Sequence, residues 1–438
     1  MQGETLAALM FPCLFLFVLL GLPISFSLLT TAAIFAWPLF GEAVANQLYA
    51  GITQTASSFV LSAVPPFIFM GFMLERSGVA ERLFDALQMW LGRLPGGLAL
   101  ATMGMAGILA ASTGIVGAVE VLIGVMAIPA MLSRNYDRAL ISGVICAGGS
   151  LGTMIPPSIV VVIYATVAQL SVGQLFLAVM LPAAIMVTAF VGYVLAAAFL
   201  NPDKAPPDTA ARDVPLPEKL KTTLVALVPM VALIVAVLGS ISFGIASPTE
   251  AAAVGALGTV LLTIAYGRFR LATFWDALRQ TLLVNSMILL IVVGGTIFSG
   301  TFRIHGGNEL VRDLFAQTGF GDTGVILLML LVVFIAGFIL DWVSVILICL
   351  PIFIPVFTDI AVEPLWFAVL MIVVIQTSYL TPPMAPSIFY LRSIAPPEIT
   401  YRDMYLGVVP FIAAQILTLL LVFAFPGLAT WLPSLMNL

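Results

Sequence analysis

From Ala139 to Pro202 the chain runs 64 residues without one Asp, Glu, Lys or Arg. A helix needs about 20 apolar residues to cross a hydrocarbon core ~30 Å thick, so this run alone has room for about three crossings. Other charge-free runs are Thr5–Gly41, Leu94–Val119, Thr222–Thr249, Gln280–Phe302, Pro364–Leu391 and Met404–Leu438. Over all 438 residues, 62% are hydrophobic and only 8% are charged, against roughly 25% charged in an ordinary soluble domain. Too few charges remain to solvate a soluble surface, and a net charge of −5 with no polar excess excludes disorder and nucleic-acid binding. The apolar residues follow a helical period with scattered Gly and Pro, not the ~10-residue alternation of a membrane barrel. The expected class is an all-α polytopic membrane protein. The start, Met1-Gln2-Gly3-Glu4, has no basic segment, so a cleaved signal peptide is not expected. Cys13, Cys146 and Cys349 all sit in apolar runs at spacings that suit neither a metal site nor a disulfide framework.

One stretch is plainly aqueous. Residues 201–221 are rich in proline and charge and lie almost at the centre of the chain, as a polar linker would. The flanking parts, 1–200 and 222–438, echo each other. Leu20-Gly21-Leu22-Pro23-Ile24-Ser25-Phe26 matches Leu238-Gly239-Ser240-Ile241-Ser242-Phe243, and Ser77-Gly78 matches His305-Gly306. Pro129 matches Pro355, and Pro156-Pro157 matches Pro382-Pro383. The offsets are about 218, then 228, 226 and 226. Internal duplication of this kind is characteristic of transporters.

Basic residues set the orientation, because Lys and Arg stay cytoplasmic. Crossings are expected near 5–22, 23–40, 59–75 and 173–200, then near 222–243, 249–266, 282–302 and 404–425. Each half adds a hairpin (96–133 and 323–358) and an interrupted helix (138–170 and 364–391). With the amino terminus outside, fourteen basic residues fall inside, the linker is cytoplasmic, and only Arg303 and Arg312 fall outside. The first hairpin then enters from the cytoplasm and the second from the far side. The two halves are inverted repeats, each with a re-entrant hairpin and a broken helix.

The breaks are Gly148-Gly149-Ser150-Leu151-Gly152-Thr153-Met154-Ile155-Pro156-Pro157-Ser158 and Thr377-Ser378-Tyr379-Leu380-Thr381-Pro382-Pro383-Met384-Ala385-Pro386-Ser387. Proline removes an N–H and clashes with the preceding turn, freeing carbonyls that lipid cannot satisfy. Simple proline kinks are the alternative, weakened by the matched positions. The first hairpin tip holds Ser112-Thr113-Gly114, where small-residue helix packing competes with a binding role. The second holds Gly337 and Asp341, a lone carboxylate that needs either hydrogen bonds or a task. Hydroxyls and carbonyls are hard ligands suited to Na⁺. With one His and no His/Cys cluster, no zinc, iron or other cofactor is expected. Glu120 could serve packing or function equally. Ser247-Pro248-Thr249-Glu250 reads as a helix start, Val79–Trp90 as an interfacial amphipathic arm, and His305 as a loop residue.

The order Gly71, Ser77-Gly78, Gly96-Gly97, Ser112-Thr113-Gly114, Gly152-Thr153-Met154-Ile155-Pro156-Pro157-Ser158, Pro248-Thr249-Glu250-Ala251 and Thr381-Pro382-Pro383 resembles the large membrane subunit of tripartite ATP-independent periplasmic (TRAP) transporters. The resemblance implies an elevator-type, Na⁺-driven importer of a small organic acid in the bacterial inner membrane. It also implies a periplasmic substrate-binding protein and a small four-helix membrane subunit as partners. A Gly-x-x-x-x-Gly-Lys-Ser/Thr loop is absent, in keeping with ion coupling. Together with the repeat, the resemblance implies one sodium site at Ser112, Gly152, Ile155 and Ser158, and another at Gly337, Ser378, Thr381 and Met384. Substrate would sit between tips and breaks, near Thr113, Gly114, Thr153, Pro156, Asp341 and Pro382. Tyr379-Leu380 stands where the family pattern has glycine-rich residues. No intramembrane Arg offers a bidentate carboxylate clamp. A self-sufficient carboxylate carrier or antiporter is the alternative. An enzyme would need a nucleophile with a base, which these residues do not supply.

Overall fold

A computed structural model of the chain describes residues 2–113, 116–207, 214–317 and 319–436. Among them, every regular element is helical. The first half runs α1 (Gln2–Leu19), α2 (Ile24–Phe40), α3 (Val44–Ala56), α4 (Val64–Arg76) and α5 (Val79–Leu91). It continues with α6 (Gly97–Thr113), α7 (Val116–Leu132), α8 (Arg138–Ser150), α9 (Ile159–Ala168) and α10 (Val172–Leu200). The second half runs α11 (Leu216–Ser242), α12 (Pro248–Ala265), α13 (Leu271–Ile304), α14 (Gly307–Gln317) and α15 (Asp322–Ala336). It ends with α16 (Trp342–Asp359), α17 (Pro364–Leu380), α18 (Pro386–Ile394), α19 (Tyr401–Ala424) and α20 (Gly427–Leu435).

The helix ends follow local chemistry. Ser247 accepts from the Glu250 N–H at 3.3 Å while Glu250 accepts from the Ser247 N–H at 2.8 Å, a reciprocal cap that starts α12 with Pro248 in its first turn. Thr400 and Asp403 start α19 in the same way. Asp137 caps α8 by accepting from the Leu140 N–H at 3.0 Å. Six described stretches are long and apolar enough to cross a bilayer: Ile24–Ala56, α10, α11, α12, α13 and α19. The chain is therefore a multi-pass α-helical membrane protein. By contrast α6 and α7 have 17 residues each, about 25 Å of helix, and they pack on each other and on α8 as a hairpin. Helices α15 and α16 form the second hairpin, turning at residues 337–341.

Both proline pairs interrupt their helices. After α8 come one tight turn (Leu151–Thr153) and an extended Ser158 before α9. After α17 come an extended Thr381 and a left-handed Ala385 (φ +41°) before α18. Both Pro-Pro peptide bonds are cis.

The two halves interlock. Helix α19 lies on α8 so closely that a Cβ on Gly143 would strike the Gly407 carbonyl, and one on Gly407 would strike that of Ala139. Two glycines facing each other let the backbones touch, the small-residue device of membrane helices. Phe190 of α10 stacks edge-on against Phe411 of α19 at 5.2 Å. Ser150 accepts from Gln376 at 3.2 Å, so two residues 226 apart meet.

Three features differ from expectation. Helices α3 and α20 were not anticipated, because both mix polar or small residues into short segments. Helix α13 runs 34 residues from Leu271, beyond the expected 282–302, since charged Asp276 and Arg279 end a charge-free run without ending a helix. His305 does lie in the turn between α13 and α14, as a loop residue would, but it is packed: it is 5% exposed, and its Nε2 lies 2.8 Å from the Phe35 carbonyl of α2.

Gly407→Leu will force α19 off α8. It should destabilise the folded chain by about 1–3 kcal/mol, measured by denaturation of the purified full chain in detergent. Unchanged stability would show that the close approach is not needed.

Candidate functional site

A cavity of about 570 Å³ opens where the second hairpin tip meets the second break. Gly337, Asp341, Ser378 and Met384 line it from the second half. Val116, Gly117 and Ile159 line it from the first half, so tips and breaks of both halves contribute. Leu340 and Tyr379 complete much of the apolar wall.

The local sequence explains why these groups converge. Gly337 must be glycine, since a Cβ there would collide with Ser378 Oγ, bringing the hairpin tip directly onto α17. Gly117 plays the same part on the other side, where a Cβ would lie 2.6 Å from the Tyr390 ring. Asp341 starts α16, its Oδ2 accepting from the Val343 N–H at 3.0 Å and its Oδ1 from the Ser344 hydroxyl. Asp341 thus has a structural task as a helix cap while it also lines the cavity. Among the described lining residues it is the only Asp, Glu, Lys or Arg.

In both breaks the hydroxyls donate to nearby backbone. Ser158 donates to the Thr153 carbonyl at 2.8 Å, and Thr153 to that of Ser150 at 2.9 Å. Ser378 donates to the Ile375 carbonyl at 2.8 Å, and Thr381 to that of Thr377 at 2.6 Å. A hydroxyl that has committed its proton to a carbonyl presents only lone pairs outward. Such a set suits a small hard cation, and it adds no charge.

The cavity wall also collects helix beginnings. Ile24, Val116, Ile159, Trp342 and Pro386, the first residues of α2, α7, α9, α16 and α18, all line it. A helix amino end carries a partial positive charge and unpaired N–H groups, the basis of anion binding without a basic side chain, although at α16 Asp341 already accepts from the Val343 N–H.

The sequence-predicted residues divide unevenly. Gly337, Asp341, Ser378 and Met384 share the cavity wall, with Thr381 half-buried and Pro382 exposed beside them. Gly152, Thr153, Pro156 and Ser158 are buried and Ile155 half-buried, and none lines the cavity. Ser112 and Thr113 end α6, but their side chains and all of Gly114 lie outside the described residues. Sequence reasoning missed Ser25, Ile24, Tyr379 and Tyr390 as wall residues. A signal for the first two existed: Ile24-Ser25 lies in the landmark matched by Ile241-Ser242, and Pro23 just before the apolar run marks a helix start. Tyr379 stood within the second break and so was marked by its place there, whereas nothing local marks Tyr390.

The fold and site define a polytopic helical membrane protein with a largely apolar cavity, holding a few polar groups, between broken helices. Residues 11–428 match the family described as tripartite ATP-independent periplasmic transporter, DctM component, and the chain belongs to it. Relatives include the C4-dicarboxylate TRAP transporter large permease protein DctM of Pseudomonas aeruginosa, 29% identical over 90% of this chain and 91% of that protein. The ectoine/5-hydroxyectoine TRAP transporter large permease protein UehC of Ruegeria pomeroyi is 28% identical over 98% and 99%. The isethionate TRAP transporter permease protein DctMQ of Oleidesulfovibrio alaskensis is 29% identical, and this chain spans 64% of its length. The fold is similar to that of the YdaH transporter of Alcanivorax borkumensis, with a TM-score of 0.63 at 14% identity over 88% of each chain.

Exposure gives a direct check. With Cys13, Cys146 and Cys349 replaced, Met384→Cys should react with a water-soluble thiol reagent in membranes, because Met384 is 48% exposed. Ser158→Cys, at a position 1% exposed, should be protected. Equal labelling would contradict the described geometry.

Proposed function

We propose that this chain is the large permease subunit of a tripartite Na⁺-coupled secondary transporter that imports a small organic acid across the bacterial inner membrane. The single observation that carries this is the cavity on which five helix beginnings open with no Lys or Arg in its described wall. Its field favours an anion, while its hydroxyl and carbonyl oxygens favour a cation. A site of both kinds suits co-binding of a carboxylate and Na⁺, each offsetting the charge of the other. Family membership supports the same assignment. Relatives named for C4-dicarboxylates, for ectoine and for 2,3-diketo-L-gulonate leave the substrate class at small polar organic compounds, acids foremost.

One sodium site is assigned to Gly337, Ser378, Thr381 and Met384, where the Gly337 backbone touches Ser378. Its counterpart is assigned to Ser112, Gly152, Ile155 and Ser158. Substrate is assigned to the space reached by Thr113, Gly114, Thr153, Pro156, Asp341 and Pro382. The halves act as inverted repeats, both termini lie on the periplasmic side, and the hairpins with their breaks move as an elevator. A small four-helix membrane subunit and a periplasmic binding protein complete the system. Na⁺ is the coupling ion, and no organic cofactor takes part.

Vesicles containing this chain, the small subunit and the binding protein should accumulate substrate only under an inward Na⁺ gradient. Accumulation that survives collapse of that gradient would overturn the coupling. Thr381→Ala removes one oxygen ligand and should raise the Na⁺ concentration for half-maximal uptake severalfold. An unchanged Na⁺ titration would remove Thr381 from the site.

A further inference from the structure

Among the described residues, Glu120 is the one acidic side chain in the fully buried interior, with 0% exposure. It lies just over one turn into α7, the returning arm of the first hairpin. Gly149 of α8 makes room for it, since a Cβ there would strike the Glu120 side chain. Ser387, in the first turn of α18 after the second break, places its Oγ on Glu120 Oε1. The same Oγ lies 3.4 Å from the Cys146 carbonyl of α8. Oε2 has no partner. One carboxyl group thus ties together three helices from both halves.

Proton bookkeeping decides what this cluster is. The Ser387 hydroxyl has one proton and two acceptors within reach. The Cys146 carbonyl can only accept. With Ser387 donating to Glu120 Oε1, the Cys146 carbonyl at 3.4 Å is left without a proton of its own, whereas a protonated Glu120 donating to Ser387 Oγ frees the Ser387 hydroxyl for Cys146. An ionised Glu120 would instead hold a full charge away from water with a single hydroxyl partner and a bare second oxygen, an arrangement costly enough to be rare.

Among the described residues, no cation faces it to change that balance. Cys146 of α8, Tyr379 of α17 and Tyr390 of α18 are the titratable groups nearby, and none carries positive charge in any state. Arg138 lies two turns earlier on α8. Arg392 of α18 donates to the Ile399 carbonyl at 2.9 Å. Helix α6 bears no titratable side chain. On α5, Glu81 and Asp85 are exposed, and Arg82 lies over the Tyr266 ring at 4.4 Å. Glu363 caps the far end of α17.

We propose that Glu120 is a proton-binding site, and that its proton closes a Glu120–Ser387–Cys146 latch joining the first hairpin to the helix after the second break. The ligand is H⁺, taken up by the carboxylate and released when the junction opens. Without the proton, the junction holds an uncompensated charge that favours parting α7 from α18 or admitting water. The site is separate from the oxygen sets assigned to Na⁺, and the inference does not rest on that assignment.

Infrared spectroscopy of the full chain in lipid vesicles, at neutral pH and without Na⁺, tests it. The wild-type chain should show a protonated-carboxyl C=O band that shifts in D₂O, is absent from Glu120→Gln, and moves in frequency in Ser387→Ala. Absence of any such band that Glu120→Gln removes would overturn the proposal. A band abolished by adding Na⁺ at constant pH would also overturn it, making Glu120 a cation ligand. If Glu120→Gln fails to fold, Ser387→Ala decides alone, because it leaves the carboxyl in place. A band unmoved by that change would sink the latch.

Discussion

The two helix interruptions organise the molecule. A proline pair at membrane depth leaves backbone groups that lipid cannot satisfy, so the chain around it must supply partners. It does so locally. Ser158 and Thr153 return to the carbonyls behind them in the first break, and Ser378 and Thr381 do so in the second. The Ser158 bond closes the turn just before α9, the Ser378 and Thr381 bonds tie off the end of α17, and the hairpins pack against the result. Gly337 on Ser378 and Gly117 on Tyr390 are two points of close approach, where a Cβ would collide. The cavity is what remains between the hairpin tips and the restarted helices.

Much of this architecture was legible in the residues, and the reason is physical. Charge is excluded from hydrocarbon, so charge-free runs mark helices such as α10, and proline marks the breaks in α8–α9 and α17–α18. The same signal fails where a helix leaves the apolar zone. Asp276 and Arg279 lie inside α13, yet the rule of charge exclusion placed its start after them. Helix α3 was missed for the converse reason: Asn46, Gln47 and Gln54 interrupt the apolar pattern, yet they sit on the exposed face of a helix that buries only Val44, Gly51 and Thr55. The site was less legible than the fold. Sequence shows where a helix must restart but not the direction its first residues face. Hence Ser378 and Met384 were found on the wall, while Ile24 and Tyr390, brought there by tertiary packing, were not.

Charge economy runs through the interior. The described cavity wall offers one carboxylate, and Asp341 spends both oxygens on the start of α16. Attraction for ions must then come from dipoles and lone pairs, which cost far less to bury than full charges. Ser150 shows the same economy, taking hydrogen bonds from Gln376 and Gln415 across the interlocked halves where a charge pair could have stood. Glu120 departs from this rule, and its proton is what brings it back under it.

The two breaks obey one sequence logic but occupy different surroundings. Pro156 and Ser158 are buried, whereas Pro382, Pro383 and Met384 are exposed. Closely matched motifs cannot by themselves produce opposite exposure, so the difference belongs to what packs on each. The turn after α8 is covered by α6, α7 and α17, while the segment after α17 meets open space before α18 is gathered in by α7 and α8. Ser387 and Glu120 stand where that gathering begins, one residue past the opened segment's proline. Access to the second break and closure of the α7–α18 junction are therefore neighbours along the chain, so a motion that changes one must strain or relieve the other.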